Sequence, residues 1–211
     1  MNNAIASAPP STIAHRVVDK IVGVPLRNLY GTFEAGAYQL EGPDGISEHL
    51  LFYRDLAQPV CNLRINSACF TGDLLHCDRC DCNWQLHFAM KYIARTGQGL
   101  VVYHLDHEGR GNGVVAKLRS FVGGRLEDDL ASRYLRLPDR RSFAAAATIL
   151  GDLGIRAVHL ITNNPEKRAV VEHHGIAVVS TIPVIAPDPA LRPYYDFKRM
   201  TLRHWIEEGD R

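Results

Sequence analysis

The chain has 211 residues, of which 46% are hydrophobic and 22% charged, with a formal net charge of +1. That is an ordinary composition for one domain with a full core, and the near-neutral charge gives no global field for nucleic acid or an anionic membrane, so an anionic ligand must be gripped by a local basic cluster. No apolar run approaches the roughly 20 residues of a membrane span, no basic-then-apolar leader opens the chain, and five cysteines clustered between Cys61 and Cys82 suit a reducing compartment and a metal rather than a secreted disulfide framework; the expectation is a cytoplasmic protein with no nucleic-acid or membrane partner.

Residues 1–15, small and Pro-containing, read as a disordered arm before a single domain spanning 16–211. Residues 17–38 are apolar but punctuated by Pro25, Gly31 and Gly36, which predicts short strands and turns. Strands are expected at 49–53 and 60–65. Residues 83–96 form a predicted helix, because Trp84, Phe88 and Tyr92, and Leu86, Ala89 and Ile93, recur at three- and four-residue spacing, and Gly97 stops it. The nearly continuous apolar run 99–105 suits a strand buried on both faces. Helices follow at 114–122 and, Ala-rich, at 142–153; then a strand at 157–161, a helix from Pro165 to 174 with Gly175 behind it, a strand at 176–181 and a terminal helix at 194–207. Strands alternating with helices from residue 60 onward predict an α/β fold, a mixed, largely parallel sheet with helices on both faces. Ligands of such sheets bind at the carboxyl ends of the strands, where three polar loops are expected.

The first loop carries the strongest chemistry. Cys69, Cys80 and Cys82 lie in S-A-C-F-T-G-D-L-L-H-C-D-R-C-D-C. Three thiolates hold Zn²⁺ and leave the fourth tetrahedral position open, where zinc lowers the pKa of water from about 15.7 to about 7. That would suit hydrolysis of a reluctant C–N bond. A closed four-Cys structural zinc is the rival, since Cys77 makes C-x-x-C with Cys80, and His76 or His87 would also serve as a fourth ligand.

The other two loops suit anions. Asp106-His107-Glu108-Gly109-Arg110-Gly111-Asn112-Gly113 follows a buried strand, and its glycines allow backbone amides near a phosphate while Arg110 adds a charged donor; a tight turn with a solvated Arg is the plainer reading. Thr162-Asn163-Asn164-Pro165-Glu166-Lys167 offers a hydroxyl, two amides, a helix N-terminus and a Lys, or simply an Asx-capped helix. Asp139-Arg140-Arg141 is either a phosphate clamp or a surface ion pair. His107, next to Glu108, reads as an exposed loop residue or else an acid/base group, and His173 and His174 as dipole partners at a helix end. A hydrolytic zinc site and phosphate-friendly loops on one sheet edge point to hydrolysis on a nucleotide.

From about residue 26 to about 205 the chain resembles GTP cyclohydrolase II of riboflavin biosynthesis. The motifs R-I-N-S-A-C-F-T-G-D, C-D-C, W-Q-L, E-G-R-G, K-L-R, D-R-R, I-T-N-N-P and Y-Y-D-F-K come in the family's order. The resemblance implies ring opening of GTP at C8, loss of formate and pyrophosphate, one catalytic Zn²⁺ per chain on Cys69, Cys80 and Cys82, Mg²⁺ with the triphosphate, and a homodimer. It implies catalytic roles for Arg141, as nucleophile on the α-phosphate, and for Asp139, as its acid/base partner. It implies substrate contacts from Arg64, Ser67, Gln85, Glu108, Gly109, Arg110, Phe121, Thr162 and Lys167. Departures gather near the base and the metal: Ala68 stands where the family has Glu, and Phe121 where it has a Tyr of the ring-opening chemistry. The expectation is a divergent paralogue acting on GTP or a related purine nucleotide, stopping at a formamidopyrimidine or going on to the diaminopyrimidinone, in a specialised pathway such as synthesis of a secondary metabolite. The alternative is a catalytically inactive zinc- and nucleotide-binding homologue with a regulatory role.

Overall fold

The computed structural model describes residues 15–122 and 134–206. All but the last residue of the expected N-terminal arm, and the far end of the expected terminal helix, lie outside them. Among the described residues seven strands form one sheet in the order β1-β2-β3-β5-β4-β6-β7. β1 (Arg16–Asn28), β2 (Gly31–Gly42) and β3 (Gly45–Arg54) make an antiparallel meander. β3 pairs antiparallel with β5 (Gly99–His104), and parallel pairing then runs through β4 (Cys61–Ser67), β6 (Ala157–Ile161) and β7 (Ala177–Ile182).

Helices cover both faces. α1 (Cys82–Thr96) packs Ala89, Met90 and Ile93 against Val101 and Ile161. On the other face α3 (Ala144–Asp152) and α4 (Pro165–His173) pack against Leu63, Ile65, Leu100 and Val102. Leu100 and Val102 thus point one way and Val101 the other, so β5 is buried on both sides as its apolar run predicts. α2 (Gly113–Phe121) follows the glycine loop, and α5 (Arg192–Leu202) joins a small third cluster through Tyr194 and Tyr195.

Two expectations need correction. Residues 17–38 are not short strands and turns but most of two long ones. β1 is an edge strand with register shifts after Val17 and Ile21, which admits Pro25. Gly36 is not a turn residue: a Cβ there would lie 2.6 Å from the Ile21 carbonyl oxygen, so the bare backbone lets the bulged strand approach. The terminal helix stops at Leu202, because Arg203 turns left-handed at φ 54°. Among the described residues no helix is long and apolar enough to cross a membrane.

Candidate active site

β4 ends at the centre of the sheet, and its residues alternate between the two faces. Leu63 and Ile65 enter the core. Arg64 and Asn66 turn toward α1, where the Arg64 guanidinium donates to Gln85 Oε1 (2.6 Å), Asn66 Oδ1 (3.1 Å) and the Ile161 carbonyl (3.2 Å). Three neutral acceptors leave its positive charge uncompensated by direct contact, and burial lowers its pKa. Ser67, the last residue of the strand, faces His107 Nδ1 (3.1 Å) and Arg141 Nη1 (3.5 Å).

Beyond the strand the chain makes a single π-helical turn, Phe70–Leu74, and returns to open α1 at Cys82. This folds Cys69, Cys80 and Cys82 together, with one sulfur from each within 4.8 Å of the others. Cys69 and Cys80 Sγ are 3.8 Å apart, matching the edge of a tetrahedron with Zn–S bonds of about 2.3 Å. Gly72 keeps the centre of the trio clear: a Cβ there would meet Cys69 Sγ at 3.0 Å, Cys82 Cβ at 3.0 Å and Cys80 Sγ at 3.1 Å. The protonation pattern also calls for a cation. Hydrogen bonds from the Cys80 and Cys82 thiols, then the Lys117 ammonium 3.0 Å away, pull the Cys69 thiol far down against the effect of burial. That thiolate in turn pushes Cys80 up to about 12 and Cys82 well above its usual value. Three sulfurs this close become thiolates together only around a metal. The trio therefore fits zinc.

The sequence offered three fourth ligands, and none joins the cluster. Cys77 lies outside it. His76 faces His87 with ring centroids 6.1 Å apart, and His87 Nδ1 is hydrogen-bonded to the Tyr30 hydroxyl. The closed four-sulfur arrangement is thereby corrected to a three-sulfur one.

The cleft beside the trio is lined by Cys69 and Cys82 and by five cations, Arg64, Arg110, Arg141, Lys167 and Lys198. Arg110 is not the solvated residue of a simple turn. It is 5% exposed, held left-handed at φ 60°, donates to the Leu137 carbonyl and pairs with Asp139 at 2.8 Å. Arg141 makes a two-pronged contact with the same carboxylate, at 2.8 and 2.6 Å, an ion pair at the rim of the cleft in which the Asp139 side chain is 31% exposed. Burial alone would raise the Asp139 carboxyl; Arg141 and Arg110 outweigh it and hold it at about 2. Burial works against the Arg141 charge, yet Asp139 keeps that guanidinium firmly protonated.

The Thr162–Lys167 loop is the Asx-capped turn its composition suggests. Asn164 Oδ1 accepts from Glu166 N (2.9 Å), and Thr162 Oγ1 from Asn164 N (3.0 Å). Lys167 reaches inward to the Ile65 carbonyl (2.9 Å). Burial first, then Arg64 and Arg141, drive its pKa well down. The same field, added to burial, takes His204 down to about 2. A buried cleft whose basic groups depress one another is prepared for a polyanion.

Of the residues singled out in the sequence, Arg64, Ser67, Gln85, Arg110, Arg141, Thr162 and Lys167 line this cleft. Asp139 is outside the lining, paired with Arg141. Glu108 and Gly109 are placed as braces: Glu108 accepts from Lys117 Nζ (3.0 Å), from Gly109 N (2.8 Å) and from the Phe70 amide. Phe121 lies outside the lining, its ring under the Arg79 guanidinium, one helical turn beyond Lys117. His107 is a correction: it is 2% exposed, stacked on His104 with centroids 4.4 Å apart, and hydrogen-bonded to Ser67 Oγ and the Ser142 carbonyl.

Several cleft residues escaped sequence reading. Asp81, between two of the cysteines, bonds Lys198 Nζ at 3.0 Å and the Gln85 amide. Tyr134 brings a phenol to the cleft wall with Lys117 Nζ 5.0 Å from its ring centre. Only the C-D-C run carried a signal, and it was read for its sulfurs.

A profile of the GTP cyclohydrolase II family matches residues 19–183. A GTP cyclohydrolase-2 of Streptomyces coelicolor is 38% identical over 214 residues, covering 100% of this chain and 96% of that one. A GTP cyclohydrolase-2 of Actinobacillus succinogenes is 33% identical over 201 residues, covering 92% and 91%. The riboflavin biosynthesis protein RibBA of Aquifex aeolicus is 35% identical over 89% of this chain, which spans only 47% of that longer relative.

Proposed function

The chain belongs to the GTP cyclohydrolase II family, and from that premise we propose that it hydrolyses the imidazole ring of GTP at C8 and releases pyrophosphate. The observation that carries this reading is the shared cleft, in which Cys69 and Cys82 face Arg141 and Lys167 across one space. Zinc on Cys69, Cys80 and Cys82 would supply a water activated near neutral pH. Lys117 and Glu108 position the sulfur end, with Lys117 donating to Cys69 Sγ and Glu108 tying Lys117 to the turn at Phe70.

The other end binds phosphate. Lys167, Arg110 and Arg141 present charged donors, with Thr162 as a neutral one, and Mg²⁺ would accompany the triphosphate, as the resemblance implies. Asp139 fixes the edge of the Arg141 guanidinium and keeps it charged, which orients it toward an α-phosphate oxygen. On the base side Gln85 and Arg64 form a hydrogen-bonded pair beside Asp81. With Ala68 in place of a family glutamate, the carboxylate on this side is Asp81, which holds Lys198 and Gln85 in place for the base.

We further propose a divergent paralogue of a specialised pathway, whose reaction ends at the formamidopyrimidine nucleotide. Phe121 stands where the resemblance has a tyrosine, and a Phe ring has no hydroxyl to move a proton. The test is incubation of the zinc- and magnesium-loaded protein with GTP, and with ATP in parallel, followed by product mass and a pyrophosphate assay. A formamide product with pyrophosphate is expected from GTP. Full formate release would refute the early stop. No product and no pyrophosphate would favour the inactive, regulatory alternative.

A further inference from the structure

A second cluster of donors lies outside the cleft, at the carboxyl end of β5. His49 on β3 stands opposite His104 on β5 in the ladder. Their rings meet edge to face, with centroids 4.7 Å apart. Asp106, in the turn that follows, brings Oδ1 to 3.8 Å from His49 Nδ1. Both histidines are fully buried. His49 Nδ1 and both ring nitrogens of His104 have no hydrogen-bond partner. Buried polar nitrogens are paired in most folds, and a cluster of unpaired ones calls for a bound ion or water to account for it.

We propose that His49, His104 and Asp106 form a second divalent-metal site, separate from the three cysteines, with two imidazole nitrogens and one carboxylate oxygen as ligands. Such a set suits a borderline transition metal of the Zn²⁺ or Fe²⁺ class and not Mg²⁺ or Ca²⁺, which prefer all-oxygen shells. One donor atom from each residue lies within 4.8 Å of the others. Three ligands about 2.1 Å from one ion lie about 3.4–3.6 Å apart, so the donors close by up to about 1.4 Å to complete the site. The Asp106 side chain, 44% exposed in its turn, has room for that movement.

Two further features prepare the histidines. His49 Nε2 lies 2.9 Å from Ser47 Oγ; with Nε2–H donating, Nδ1 carries the lone pair toward Asp106, the outer contact that commonly orients a metal-binding imidazole. Burial holds His49 at about 4 and pushes His104 well below the usual imidazole value, so both rings favour the neutral form a metal binds. The His104 carbonyl also accepts from Ala68 N at 3.0 Å, one residue before the first zinc-binding cysteine. A filled second site would therefore pin β3, β5 and the start of the cysteine loop together.

The test is metal stoichiometry on the full chain without nucleotide, so its outcome is independent of any cyclohydrolase activity. The protein is stripped with chelator, dialysed against Zn²⁺, and its metal counted by plasma mass spectrometry. Two equivalents are expected. Asp106→Ala and His104→Gln should each retain one, with second-site affinity down at least tenfold. Cys69→Ser should keep a zinc whose X-ray absorption shows only nitrogen and oxygen ligands. One equivalent in the unmodified protein overturns the proposal, and so does a second equivalent that persists in Asp106→Ala, which is adventitious binding. Asp106→Ala changes a half-exposed turn residue, so the test stands even where His104→Gln does not fold.

Discussion

Gly72→Ala is the sharpest probe of the cysteine trio. Its φ lies outside the left-handed region, so an alanine is not strained by its backbone. The added methyl meets Cys69 Sγ at 3.0 Å, Cys82 Cβ at 3.0 Å and Cys80 Sγ at 3.1 Å. Comfortable carbon–sulfur contact begins several tenths of an ångström farther out, so sulfurs and turn must give by roughly 0.4 Å or more. Metal sites tolerate ligand displacements of about 0.2 Å. The displacement is about twice that tolerance and resembles loss of an outer supporting contact, which costs roughly 10- to 100-fold in metal affinity, or about 1.4–2.7 kcal/mol. Competition against a chromophoric chelator, read at equilibrium on the stripped protein, measures this directly. The apo fold should hold its melting temperature to within a few degrees. Unchanged zinc affinity in Gly72→Ala would refute the placement of the ion between these sulfurs, because no ion seated there escapes that methyl.

Lys198→Met leaves Asp81 buried without its ammonium partner, which should cost about 3 kcal/mol and be seen as a fall in urea midpoint; adding Asp81→Asn should recover most of it, and no recovery would mean the loss is packing alone. Asp139, held at about 2, adds stability that is fully present above its unfolded pKa of about 3.8 and is lost as pH falls through 2. The shift is worth at most about 2.5 kcal/mol, reduced toward about 1 kcal/mol because the side chain is 31% exposed. Asp139→Asn should thus be less stable at pH 6 and converge with the unmodified protein near pH 2; a constant gap would show that its charge is not the cause. Phe121→Tyr restores a hydroxyl one turn from Lys117, and should raise formate released per pyrophosphate from GTP several-fold; an unchanged ratio would place the control of the second hydrolysis elsewhere.

The parts of the fold that the sequence made legible are those where burial imposes a period. α1 shows its stripe because one face packs on Val101 and Ile161, and β5 reads as a continuous apolar run because both its faces are covered. β1 gave no such signal. It is an edge strand, mostly exposed and bulged, so neither alternation nor a buried run marks its length. The end of α5 was illegible for another reason: its left-handed stop falls on Arg203, not on glycine, and the chain is held there by His204 N donating to the Lys198 carbonyl.

The site divides along the same line between local and distant. C-x10-C-x-C is a local spacing, and one π-helical turn is enough to bring its three sulfurs together. Asp81 and Lys198 lie 117 positions apart, and no spacing rule joins them. His107 shows how far the distant terms can shift a reading. In its loop it has every mark of an exposed histidine, between an aspartate and a glutamate. What buries it comes from elsewhere: Ser67 at the end of β4, Ser142 before α3, and the ring of His104. Both of its nitrogens are thereby used, so it carries Ser67 into position beside Arg141. The two rings beneath it, with three nitrogens left unpaired, are the one place in this network where hydrogen bonding stops short of its complement, and it is there that a second metal would be seated.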